Sequence, residues 1–137
     1  MSYAQAVEGL FARGHELAHA AGVVADEPRR KFNLEQMRIL AAALGHPELQ
    51  FRSVLIAGTN GKGSTAAMLA NIVKTAGYRV GLYTSPHLSR VNERIQIDSV
   101  PISDEDFARL YFRVDETSAH LMREGRLPQD PSFFETM

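Results

Sequence analysis

Tyr3, Val7, Leu10, Phe11, Leu17 and Ala18 recur at three- and four-residue spacing, so the pattern predicts an amphipathic first helix running to about His19. Residues 21 to 31, AGVVADEPRRK, mix charge with glycine and proline without a period and read as a loop. Asn33, with Gln36 three residues on, predicts the cap of a second helix whose apolar stripe is Leu34, Met37, Leu40, Ala41 and Leu44, stopped by Gly45 and Pro47. Val54, Leu55, Ile56 and Ala57 then form an unbroken apolar run between turn residues, the pattern of a strand buried on both faces of a parallel sheet.

A glycine-rich string, GTNGKGST, follows at once, and after it Ala66, Ala67, Leu69, Ala70, Ile72 and Val73 predict a helix ending near Gly77. Arg79 to Ser85 supplies a second predicted strand, completing a βαβ unit. Residues 93 to 97 and 100 to 102, alternating about Asp98 and Ser99, predict a small hairpin. Ser103 with Asp106 opens a long helix with the stripe Phe107, Leu110, Val114 and Leu121, closed by Gly125. The last residues, PSFFETM, begin a new capped segment, and the expectation is that the chain is cut in mid-element. The fold class expected is therefore α/β: a P-loop-type, mostly parallel sheet flanked by helices, with residues 1–50 as a helical lead-in and 53–137 as the P-loop part. With so few strands, the predicted sheet has open edges and bare apolar faces, which predicts marginal stability or aggregation.

Composition narrows the chemistry. The chain has 137 residues, 45% of them hydrophobic and 23% charged, with no apolar run long enough to span a bilayer. Its formal charge of -1 supplies no global field for nucleic acid or an anionic membrane, so neither is an expected partner. The absence of cysteine removes disulfides, thiolate metal sites and cysteine nucleophiles. The amino terminus has no basic segment leading into an apolar one, and the expected compartment is the cytoplasm.

The glycine string carries the candidate chemistry. Multiply charged phosphates are met by convergent backbone N–H groups, which glycines let approach, and by the partial positive charge of a helix N-terminus. Lys62 adds a point charge for the β- and γ-phosphates, and Ser64 or Thr65 a hydroxyl for a phosphate or its Mg²⁺. The strict pattern GxxxxGK[ST] fails twice, because Ile56 stands at its first glycine and Gly63 at its hydroxyl position. That departure, and the lack of an NKxD-type guanine motif, argue against an ordinary small GTPase or nucleoside kinase. Another P-loop nucleotide-binding enzyme, a non-catalytic nucleotide-binding module and a glycine turn without ligand stay as alternatives.

AGTNGKGST resembles the ATP loop of the Mur-ligase superfamily, and its Lys-Gly-Ser ending resembles that of folylpolyglutamate and dihydrofolate synthases. LYTSPHL (82 to 88), NERI (92 to 95), PIS (101 to 103) and SFFE (132 to 135) follow in the same order at similar spacing. The resemblance implies the incomplete amino-terminal ATP-binding domain of a Mur-ligase-like protein, without its carboxyl-terminal glutamate-binding domain. It implies an ATP-dependent ligase that joins L-glutamate to a folate or dihydropteroate carboxylate through an acyl phosphate. ATP and Mg²⁺ are the implied cofactors, the partners are small molecules only, and the full-length form is an expected monomer.

Carried onto this chain, the resemblance implies that Gly58, Thr59, Asn60, Gly61, Lys62, Gly63, Ser64 and Thr65 hold the triphosphate, with Lys62 catalytic. Ser85 and Glu135 are the implied Mg²⁺ ligands, although Ser132 and Glu135 also fit a helix cap. His87, Leu88, Asn92 and Arg94 are the implied substrate contacts, with satisfaction of a backbone carbonyl the competing role for His87. His15, His19, His46 and His120 lack partners at metal-ligand spacing. Asp104, Glu105, Asp106, Arg109, Arg113, Asp115 and Glu116 read as a solvated helix face.

Overall fold

The structure, a computed structural model, describes residues 1–14 and 34–137. They fall into two compact units, residues 1–52 with 108–137, and residues 53–107.

The first unit is helical. Helix α1, Tyr3–Ala12, starts at Ser2, whose side chain accepts from the Gln5 N–H while the Gln5 side chain returns to the Ser2 N–H. It ends earlier than its periodicity predicts, at Arg13 followed by Gly14 with φ 116°; Leu17, Ala18 and His19 lie outside the described residues, as do the 21–31 loop and Asn33. Helix α2, Leu34–Ala43, buries Leu40 but leaves Leu34 exposed, which corrects the predicted stripe at its first position. Gly45 and His46, both with positive φ, turn the chain into the short helix Pro47–Leu49.

The long amphipathic helix, α4, is Asp104–Arg123; it follows α3 (Lys62–Thr75) along the chain, its residues 104–107 are counted with the second unit, and Ser103 Oγ accepts from the Asp106 N–H at 3.0 Å. Phe107, Tyr111, Ser118 and Leu121 are buried along it at helical spacing, whereas Leu110, predicted to lie in the stripe, is exposed. Leu121 joins Leu40 and Leu127 in a cluster covered by Ile39, Leu44 and Val114. Gly125, φ 71°, follows the helix end as expected. Helix α5, Phe133–Thr136, carries the predicted Ser132/Glu135 capping box, and Phe133 stacks on Phe11 with ring centroids 5.6 Å apart. Arg13 is held by Asp115, by Asp130 at 3.3 Å and by Thr136 Oγ1 at 2.9 Å, and its guanidinium lies over Tyr111. Asp115 is thus not merely solvated.

The second unit holds the glycine string, helix α3 and a sheet. Helix α3 is Lys62–Thr75, capped by Ala76 and followed by Gly77 in the left-handed region. Strands β1 (Gly81–Tyr83), β2 (Ile95–Ile97) and β3 (Val100–Pro101) lie in that order, and both pairings are antiparallel. Asp98 and Ser99, both with positive φ, form the predicted two-residue hairpin turn. Asp98 binds Val80 through both its N–H and its carboxylate, at 2.8 and 2.9 Å, and its carbonyl accepts from Lys74 Nζ at 2.7 Å, tying the end of α3 to the hairpin.

The predicted parallel sheet is not what the described residues form. Residues 54–57 are in no strand, and Val54 and Leu55 are 74% and 94% exposed. A parallel ladder needs a neighbour to share its slanted hydrogen bonds; β1 takes instead the strand that returns to it locally, Gly81 facing Ile97 and Tyr83 facing Ile95. An unbroken apolar run records a demand for burial without naming what meets it.

Candidate functional site

The turn into α3 is built by backbone conformation. Gly61 sits at the N-cap with φ 74°, where a side chain is strained, and lets the chain turn straight into the helix at Lys62. The first helical bond runs from the Thr65 N–H to the Gly61 carbonyl at 2.9 Å, so the Lys62, Gly63 and Ser64 amides have no acceptor within the helix. Residues 57–65 are all exposed. Three amides without a helical acceptor at a helix N-terminus, a lysine and two hydroxyls are the kinds of group that meet an anion. Lys62 folds back over the loop, its Nζ donating to the Gly58 carbonyl at 2.7 Å and the Thr59 carbonyl at 3.3 Å. Gly58, Thr59, Asn60, Gly61, Lys62, Gly63, Ser64 and Thr65 are therefore one continuous accessible surface.

Ser85 follows β1 in the same unit and is exposed. Glu135 belongs to the helical unit, where its Oε2 accepts from the Ser132 N–H at 2.9 Å and from Ser132 Oγ at 2.7 Å. Both offer the hard oxygens Mg²⁺ prefers, and among the described residues no group of three or more His, Cys, Asp or Glu side chains is placed to hold a metal by itself.

The four substrate-contact candidates divide into two kinds. Leu88 is 98% exposed and His87 half-buried, whereas Asn92 and Arg94 are 4% and 1% exposed. Asn92 Nδ2 donates to the Ile102 carbonyl at 2.9 Å and to Asp104 at 3.1 Å, and Arg94 Nε donates to His87 Nδ1 at 2.9 Å. Accepting at Nδ1 places a neutral ring's proton on Nε2. Arg90 Nη2 donates to both carboxylate oxygens of Asp104, at 2.7 and 2.8 Å, so Asp104, exposed as expected, also braces Arg90 and Asn92.

Sequence reasoning passed over Glu93. Its carboxylate accepts from the Leu88, Ser89 and Arg90 amides at 2.8, 3.1 and 2.8 Å. The Leu88 hydrogen bond above all, then that of Arg90, holds its carboxyl below the usual carboxylate range. The available signal was its place three residues after Arg90, as in a capping box.

No helix among the described residues is long and apolar enough to cross a membrane. No family model matches the chain. A dihydrofolate synthase/folylpolyglutamate synthase from Bacillus subtilis is 49% identical over 80 residues, which are 58% of this chain and 19% of that protein. The structure of folylpolyglutamate synthetase from Lactobacillus casei matches 99% of this chain and 31% of its own length, with a TM-score of 0.79 and 31% identity. An FPGS–AMPPCP–folate complex matches with the same TM-score, 0.79, and 31% identity, over 99% of this chain and 30% of that one. This chain thus spans less than a third of the length of these relatives. By sequence and by fold together, it is similar to part of the folylpolyglutamate and dihydrofolate synthases.

Proposed function

We propose that this chain supplies the nucleotide seat and part of the acceptor side of an ATP-dependent ligase that adds L-glutamate to a folate or dihydropteroate carboxylate. The observation that carries the reading is the exposed turn at Gly61, with Lys62 and three outward amides at the start of α3, in a chain similar to a synthase solved with AMPPCP and folate. The acceptor carboxylate attacks the γ-phosphorus, ADP leaves, and an acyl phosphate forms. The amine of glutamate then attacks the acyl carbon, phosphate departs, and the nitrogen loses a proton to leave the amide.

Little covalent work falls to the protein, so positioning and charge neutralisation dominate. Lys62 exchanges its two carbonyls for the phosphates, the loop amides hold the phosphate oxygens, and Ser64 or Thr65 adds a hydroxyl. Bound Mg²⁺ would supply further charge neutralisation; Ser85 would offer it a hydroxyl and Glu135 the carboxylate oxygen not used by Ser132. A small-molecule, cytoplasmic, monomeric enzyme goes with this reading.

The test is phosphate release from ATP with Mg²⁺ and L-glutamate, adding dihydropteroate or tetrahydrofolate in turn, by protein carrying this chain and by its Lys62→Ala variant. The expected result is release that requires one acceptor and falls about 100-fold or more in the variant, the scale of losing one preorganised charge contact. Release indifferent to both acceptors overturns the ligase assignment and favours another P-loop nucleotide-binding enzyme; nucleotide binding without release favours a non-catalytic module.

A further inference from the structure

We infer that Glu93 is a positioning residue, a carboxylate clasp that fixes the 88–90 backbone and so presents Leu88 as a preformed apolar contact for the ring system of the acceptor substrate. An exposed leucine alone needs no explanation. What calls for one is the pairing of a side chain 98% exposed with a backbone gripped from beneath. One carboxylate takes three consecutive amides, Leu88 at Oε2 and Ser89 and Arg90 at Oε1, at 2.8, 3.1 and 2.8 Å. The next element adds a second hold, since Arg90 Nη2 donates to both carboxylate oxygens of Asp104. Glu93 itself lies within the turn Val91–Arg94, whose Asn92 is anchored to the Ile102 carbonyl.

A loop fixed in this way has surrendered its conformational freedom before any ligand arrives, so a contact at its tip is not charged with ordering it. Leucine offers no hydrogen bond and no charge; the surface that gains from covering it is apolar and flat, as a fused ring is. This proposal rests on the acceptor reading above.

The experiment uses the full chain and three variants, Glu93→Gln, Glu93→Asp and Leu88→Ala. Amide exchange at Leu88, Ser89 and Arg90 is followed at fixed pH, and folate and AMPPCP are titrated separately. Glutamine keeps one acceptor oxygen and presents an NH₂ where the other stood, so Glu93→Gln is expected to speed exchange at those amides and weaken folate about 10-fold, with AMPPCP binding as the internal control. Glu93→Asp is expected to recover part of both effects. Leu88→Ala is expected to weaken folate by a similar factor while the amides stay protected. Protection unchanged in Glu93→Gln overturns the clasp, and protection lost with folate affinity intact overturns the positioning role. A wild-type chain that shows the protected amides and binds AMPPCP but no folate overturns the acceptor assignment and leaves the clasp supported.

Discussion

Gly9 lies on α1 where the helix meets the phenol of Tyr111, and a Cβ added there would enter the van der Waals shell of the Tyr111 hydroxyl oxygen. Tyr111 cannot yield easily, since it is buried and has the Arg13 guanidinium over its ring. Gly9→Ala is expected to cost about 1–3 kcal/mol, the usual range for overpacking, despite alanine's better helix propensity; a thermal melt of the two proteins decides it, and an unchanged or raised Tm contradicts the contact. Nothing in the sequence marks Gly9 for this role, because the partner is 102 positions away. Residue roles that depend on near neighbours were legible: the Ser103 cap, the Ser132/Glu135 box, and the stops at Gly77 and Gly125 all rest on contacts three or four residues apart. Those that depend on distant packing are not, and so periodicity assigns Leu34 and Leu110 to apolar stripes although both are exposed.

At the scale of elements, the helices and the hairpin follow from periodicity and turn chemistry, while the parallel pairing of the first strand does not. Strand pairing is a statement about a partner, and antiparallel return through Asp98 and Ser99 is short enough for local sequence to specify. The candidate site divides the same way. The turn of residues 58–65 into α3 is legible because it is a local backbone device, whereas spacing does not display that Leu88 is exposed and His87 half-buried while Asn92, held by Ile102 and Asp104, and Arg94, bonded to His87, are buried. Between α1 and α4, burial pushes the Tyr111 hydroxyl above its ordinary range, with Asp115 and Asp130 pushing the same way and Arg13 opposing. The fold favours the neutral phenol, so this contribution to stability is complete below the ordinary tyrosine value near ~10 and is lost as pH rises through the raised one. Alkaline titration of stability is expected to be shallower in Tyr111→Phe than in the wild type, and identical curves contradict the coupling.

For the molecule as a whole, the two units differ in how they handle apolar surface. The helical unit closes a core around Leu10, Leu40, Leu121, Leu127 and Phe133. In the other, no residue of α3 is buried, and Val54, Leu55, Met68 and Ile72 are exposed. Such surface, beside a segment that forms no strand among the described residues, favours self-association. Leu55→Lys is expected to lower light scattering at high protein concentration without lowering Tm, because Leu55 makes no buried contact that lysine would forfeit. A fall in Tm, or scattering that does not change, contradicts this.

Lys62, which rests on the carbonyls of Gly58 and Thr59, gives the proposed nucleotide seat a history before any nucleotide would arrive. The loop already holds its cation, as a lock holds a key left in it. An incoming triphosphate does not fall onto a bare positive charge; it takes a partner away from two oxygens that must then turn to water. Capture is an exchange of allegiance, and the discrimination between a strongly charged visitor and a weakly charged one begins with which of them can outbid the chain's own backbone.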